Sequence, residues 1–316
     1  MDAFLNNLQF SLSITGPIFI VMTLGWLLNR RGMINDNFID IGSKLVFNVT
    51  LPALLFINIS RTSIEQTANL TLLGVGLFGT LLLFLLFEFL VARRVEPSSE
   101  RGVVVQGAFR SNMGIIGLAY CFNAYGNDGL VTASLYLALV TILFNILSVI
   151  TLSRSLNRDT GFRSTLKGIL KNPLIIGIVM ALPLAWYQVE LPAMVLRTGE
   201  YFAQMTLPLA LLCTGASLNF SALRHDRKNA MLAASLKLLV VPLTLTLGGI
   251  LLGLRGIELG VLLLMTCSPT AAASYVMVRA MGGNATLAAN IIAITTLCSL
   301  LTTSAGVTLL KLLELI

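Results

Sequence analysis

Ten predominantly apolar stretches follow one another along the chain, at roughly 9–29, 38–60, 66–92, 101–125, 129–152, 167–187, 194–218, 229–253, 257–281 and 286–312. An α-helix needs about 20 such residues to cross a ~30 Å hydrocarbon core. Lipid offers no hydrogen bonds, so each crossing element must satisfy its own backbone. A chain built this way folds as an all-α integral membrane protein, with no room left for a soluble domain of ordinary size. Only 11% of its residues are charged, against about 25% in soluble proteins.

The connections alternate in charge. Arg30 and Arg31, then Arg93, Arg94 and Arg101, then Arg154, Arg158, Arg163, Lys167 and Lys171 lie on one side. Arg224, Arg227, Lys228 and Arg279 bring that side to 14, while the other holds Arg61, Arg197, Arg255 and Lys311, which is 4. The positive-inside rule makes the 14-count side cytoplasmic and both termini extracytoplasmic. The net charge of +7 is therefore topological, and nucleic acid is not a partner; the lipid bilayer is. The start, MDAFLNNLQF, has no basic flank and no small-residue cleavage site, so no signal peptide is expected. Cys121, Cys213, Cys267 and Cys298 lack metal-ligand or disulfide-framework spacing and read as apolar packers. No metal or cofactor is expected.

The chain repeats itself. Thr50–Pro52 and Thr206–Pro208 are the same Thr-Leu-Pro triplet, 156 residues apart. The same offset sets Asp128 against Asn284 and brings RSNMG (Arg110–Gly114) within about two residues of SPTAA (Ser268–Ala272). Halves of five spans enter from opposite faces, which predicts two inverted five-helix repeats, 1–153 and 167–316, joined by a cytoplasmic linker, 154–166. Secondary transporters share this plan, with the site where corresponding helices are interrupted. The interrupted pair is spans four and nine. Arg110 lies about 14 Å into span four at 1.5 Å per residue, and Pro269, which lacks an N–H, breaks span nine at similar depth. Freed helix N-termini present N–H donors and a positive dipole end, and a guanidinium matches a carboxylate. The expected ligand is a small organic anion.

The stretches LVFNVTLPALLF, FRSNMGIIGL, TLPLALLCTGASL and SPTAAASYVMVRAMGGN together resemble the auxin efflux carrier family, which includes PIN exporters and bacterial malonate-type permeases. The resemblance covers essentially the whole chain. It implies ten transmembrane helices with crossed, broken helices four and nine, an architecture akin to bile-acid sodium symporters and sodium–proton antiporters. It also implies transport of auxin-like monocarboxylates or malonate- and malate-like dicarboxylates across the plasma (inner) membrane, with a homodimer as an allowed assembly. By motif match, Asn112, Gly114 and Pro269 with its neighbours face the substrate. The chain departs from the family at Ala119, where proline is common, and it has no proline between Arg101 and Tyr125. The first break is therefore expected to rest on Gly114, Gly117 and polar side chains.

The expected substrate site comprises Arg110, Ser111, Asn112, Met113, Gly114, Asn48, Pro52, Pro208, Ser268, Pro269, Thr270 and Ala271. Each has a plainer reading. Arg110 serves equally as a structural counter-ion, for instance to Glu88, although intramembrane ionisable groups are functional by default. Asn112 and Thr270 serve equally as backbone caps. Pro52 and Pro208 read as kinks in the cavity wall, and Asn48 and Gln204 as cavity lining or interhelical links. Glu88, Lys44 and Glu200 read as snorkelling side chains, Lys237 as a snorkeller or one half of a buried pair, and His225 as a loop residue.

Other functions fit less well. A cation–proton antiporter would want a carboxylate near the crossing, yet every aspartate lies at a span end or in a loop and Glu88 alone lies well inside a span. A sodium-coupled organic-anion symporter remains the near alternative, because carbonyl and hydroxyl oxygens hold sodium without an acid. An intramembrane enzyme lacks an HExxH or paired aspartates. A transporter-like receptor is not separable by sequence.

Overall fold

The computed structural model describes residues 2–61, 69–156, 173–218 and 227–316. The tract RHDRK up to Asp226, with His225, and most of the expected linker lie outside these residues. Among them every regular element is helical, and six segments are long and apolar enough to cross a membrane: Leu12–Arg30, Asp36–Ser60, Leu70–Val91, Met113–Ser155, Lys228–Leu251 and Ala285–Leu312. Ile175–Trp186 and Gly256–Cys267 are shorter apolar helices. This is an all-helical, multi-pass membrane protein.

Helix α1 is Asp2–Arg30. Helix α2, Asp36–Leu45, starts where the Asn35 side chain accepts from Phe38 N–H, a side-chain N-cap. A π-helical turn, Val46–Thr50, joins it to α3, Leu51–Ser60. The cause is Pro52, which has no N–H to give. Leu51 N–H reaches five residues back to Val46 O, and the ladder resumes beyond the proline. Pro242 repeats the device: α9, Arg227–Ser235, passes through a π-turn, Leu236–Val240, into α10, Val241–Leu251, with Val241 N–H on Leu236 O. Pro208 is handled differently. It sits within one continuous helix, Ala193–Ala216, so the matched Thr-Leu-Pro triplets do not produce matched local geometry.

Between these, α4 is Leu70–Leu86 and α5 is Arg101–Phe109. Helix α6, Leu118–Ser155, is kinked at Gly126, whose φ of 59° and ψ of −140° divide it in two. Helix α7 is Pro173–Trp186 and α8 is Ala193–Ala216. The chain then runs through α11, Gly256–Cys267, and α12, Ala273–Ala280, to α13, Ala285–Leu312.

Packing sorts the helices into two groups. In the first, α1 lies along α8, and α3 packs on α7 and α8. The first contact is backbone to backbone: a Cβ on Gly25 would overlap the Leu212 carbonyl, and one on Gly215 the Met22 carbonyl. Membrane helices approach this closely only through small residues. In the second group α4, α5, α6, α9, α10, α11, α12 and α13 surround two helix breaks. Helix α1 belongs to both groups: it packs on α13 more extensively than α3 does on α8, and it also touches α6, with Thr15 and Ser304 hydroxyls 3.2 Å apart and Asn123 donating to Ile14 O.

Glu88 corrects its expectation. It is nearly buried, accepts from Thr151 Oγ1 at 2.7 Å and lies 3.4 Å from Arg154, so it is tied to α6 rather than snorkelling. Lys44 and Glu200 stay near the faces, paired with Asp40 and Arg61.

Candidate functional site

The site grows out of two helix ends that the sequence forces open. Helix α11 cannot continue past Cys267 because Pro269 has no N–H, which would leave Met265 O without a donor. Ser268 Oγ supplies one at 2.7 Å. The next carbonyl, Thr266 O, would normally take Thr270 N–H, but that group donates to Thr295 Oγ1 at 3.1 Å. Thr266 O is thereby freed, and Lys237 Nζ donates to it at 2.6 Å.

The first break obeys the same accounting. Helix α5 ends at Phe109, and Arg110 turns extended, with φ −82° and ψ 101°. Gly107 O, which a continuing helix would bond to Ser111, accepts from Thr270 Oγ1 at 2.7 Å. The two breaks then pair as a single antiparallel bridge between Ser111 and Thr270. Asn112 N–H donates to Pro269 O at 2.7 Å and Ala271 N–H to Arg110 O at 3.0 Å. Backbone polar groups of two broken helices thus satisfy one another inside the membrane, which burial demands.

The position of this break differs from expectation. It falls at Arg110–Asn112, ahead of the glycines, and a π-turn Met113–Gly117 follows it. Gly117 serves packing instead: a Cβ there would come 2.7 Å from Met265 Sδ. Gly114 has ordinary room, with Leu51 Cδ2 at 3.5 Å.

Arg110 and Lys237 are the two cations at the crossing. Arg110 is 7% exposed. Its guanidinium donates to Asn145 Oδ1 at 2.7 Å and Ser148 Oγ at 3.0 Å, and lies 2.9 Å from Met277 Sδ. Lys237 is wholly buried and also donates to Ser111 Oγ at 2.6 Å. Among the described residues neither cation meets a carboxylate; the acids pair elsewhere, as Glu88 does with Arg154 and Glu100 with Asn229 and Asn284. Lys237 thus departs from both expectations, being neither a snorkeller nor half of an ion pair. The negative ends of α5 and α11 help to compensate both charges, since a helix C-terminus carries about half a negative charge.

The opposite ends point the other way. Neither the segment from Met113 nor the one from Ala273 has a side-chain cap. The first N–H groups of a helix lack their usual partner, but Ser274 and Tyr275 N–H donate back to Ala271 O and Ala272 O, so the open start is the one at Met113. The Asn112 side chain is 7% exposed and makes none of the hydrogen bonds found at the crossing. Met113, Ser268, Thr270 and Ala271 are buried with it. The remaining expected residues stand apart: Asn48 is exposed and donates to Lys44 O on its own helix, Pro52 abuts Gly177, and Pro208 is exposed.

Two participants escaped the sequence reading. Lys237 was noted for depth alone. Thr295 belongs to a stripe on α13, with Ser299 and Thr303 also buried, whose four-residue spacing was the available signal.

An all-helical membrane bundle with two mutually paired helix breaks at a buried polar point is the construction of a membrane transporter. Sequence comparison agrees. The profile of the family described as membrane transport protein matches residues 15–305, and the chain belongs to that family, the auxin efflux carrier family. An uncharacterized transporter of Methanothermobacter thermautotrophicus is 27% identical over 266 residues, covering 82% of this chain and 85% of the relative. One from Methanocaldococcus jannaschii is 24% identical over 297 residues, covering 90% and 94%. One from Escherichia coli K12 is 26% identical over 266 residues, covering 81% and 83%.

Proposed function

We propose that this transporter carries a small organic carboxylate across the plasma (inner) membrane by alternating access, with its site at the crossing of the two helix breaks. The reading takes the ten apolar segments as two inverted five-span repeats, with both termini extracytoplasmic. Its moving parts are the two packing groups, the one holding the crossing shifting against the other.

One observation carries the anion assignment. The unbonded Asn112 side chain stands beside an uncapped helix start, with the buried Arg110 guanidinium close by and, among the described residues, no carboxylate at the crossing. A dipole end of this kind favours an anion by about 0.3–1 kcal/mol, and up to about 2 when partly buried. Asn112, Met113 and Gly114 contact the carboxylate from the first break, while Ala271, its N–H on Arg110 O, holds the second break against it. Ser268 and Pro269 keep the second break open. Ser111 and Thr270 are engaged in holding the crossing, and Arg110 acts from behind it, its positive charge raising the local potential from a position that Asn145 and Ser148 fix. Asn48, Pro52 and Pro208 belong to the wall across which the site moves.

The test is binding by the purified protein, read as a shift in its unfolding midpoint. Malonate, malate, succinate and indole-3-acetate are compared with amines of matched size. At least one carboxylate raises the midpoint saturably, and the amines do not. Stabilisation by amines alone would reverse the charge assignment.

A further inference from the structure

Lys237 is the buried group that the anion reading does not use. Its ammonium ends a side chain with no exposed surface and donates at 2.6 Å to each of two oxygens, Ser111 Oγ and Thr266 O. These oxygens come from different halves of the crossing: Ser111 lies in the first break, and Thr266 O is the carbonyl that the second break set free. An ammonium on a flexible stem is a compact point charge with three donors, and burying it without an acid is costly unless oxygens replace its water.

The identity of those oxygens is informative. Transporters with discontinuous helices hold a coupling sodium by unwound backbone carbonyls and helix C-terminal ends. Thr266 O belongs to the last turn of α11, and the Ser111 hydroxyl sits two residues past the end of α5. A sodium ion would seek this hydroxyl and carbonyl, and a covalently attached cation already occupies them. The π-turn at Leu236–Val240, imposed by Pro242, surrounds Lys237 and fixes the approach of its stem.

We propose that the Lys237 ammonium is a tethered cation standing in for a coupling sodium at the crossing, so that the assembled site needs no sodium. The proposal rests on the transporter fold and not on the substrate class, and its test contains no substrate. Unfolding midpoints of the purified protein are measured in sodium chloride and in choline chloride at equal ionic strength. The parent melts alike in both salts. Lys237→Ala opens the pair of oxygens to solvent and ions: its midpoint falls in choline and rises saturably with sodium toward that of the parent. Lys237→Met, which fills the space without charge, melts low in both. A Lys237→Ala chain recovered folded only when sodium is present throughout supports the assignment equally. A parent stabilised saturably by sodium overturns it. So does a Lys237→Ala protein that melts alike in the two salts, or that aggregates in both while Lys237→Met folds.

Discussion

Thr270→Val tests whether the crossing is held by the hydrogen bonds described. Valine keeps the β-branched shape and deletes one hydroxyl. That hydroxyl donates at 2.7 Å to Gly107 O, a carbonyl freed by the end of α5 and buried among Ala108, Phe109 and Ser111. Removing one partner leaves the other unsatisfied, which costs about 1–3 kcal/mol rather than the net value of a single bond. A loss near the middle of that range multiplies the open population about 30-fold. The cost should fall on local opening, because Asn112 N–H on Pro269 O and Ala271 N–H on Arg110 O depend on the same alignment. Hydrogen exchange of a peptide spanning Arg110–Gly114, followed by mass spectrometry in detergent, reads this directly. Thr270→Val exchanges there roughly 5- to 150-fold faster, with peptides from α1 and α8 unchanged, and Thr270→Ser stays near the parent. Exchange in Thr270→Val equal to that of the parent would refute the account of how the two breaks are joined.

Further outcomes follow from the same contacts. Gly215→Leu drives a side chain into the Met22 backbone and lowers the unfolding midpoint, at a cost of at least about 1–3 kcal/mol, whereas Gly74→Ala, with open space around it, does not. Arg110→Ala strips the donor from the Asn145 and Ser148 oxygens and destabilises the substrate-free protein by about 1.5–3 kcal/mol; unchanged denaturant midpoints would show that these bonds contribute nothing. For topology, an impermeant maleimide applied to intact cells labels Glu190→Cys and not Ser98→Cys, both exposed positions, and the reverse pattern would invert the orientation.

Some span limits were legible because bilayer thickness and backbone satisfaction set them locally: Leu70–Val91 and Ala285–Leu312 lie within a few residues of the segments read from hydropathy alone, whereas Met113–Ser155 runs through the limits expected at 125 and 129. Pro269 was equally legible, since a missing N–H breaks a helix wherever it occurs. The first break was not. Its glycines drew attention to Gly114 and Gly117, but the residues that leave the helix are Arg110–Asn112, stabilised by pairing with Pro269–Ala271 more than 150 positions away. Local propensity carries no record of such a partner. Lys237 shows the same limit: its depth was visible, but its acceptors Ser111 and Thr266 reach it only through the tertiary fold. Glu88 misled because a glutamate one turn from a basic loop usually snorkels, and only packing reveals Thr151 opposite it.

The central claim, an organic carboxylate recognised at the crossing, meets its most direct test in proteoliposomes. Uptake of radiolabelled malonate and indole-3-acetate is measured for the parent and for Asn112→Ala, with and without sodium and pH gradients. The account predicts saturable uptake of at least one of the two by the parent. In Asn112→Ala the apparent affinity is about fivefold weaker, the worth of one neutral hydrogen bond of about 1 kcal/mol. Carboxylate uptake that Asn112→Ala leaves unchanged, or a parent that moves amines and no carboxylate, would contradict it.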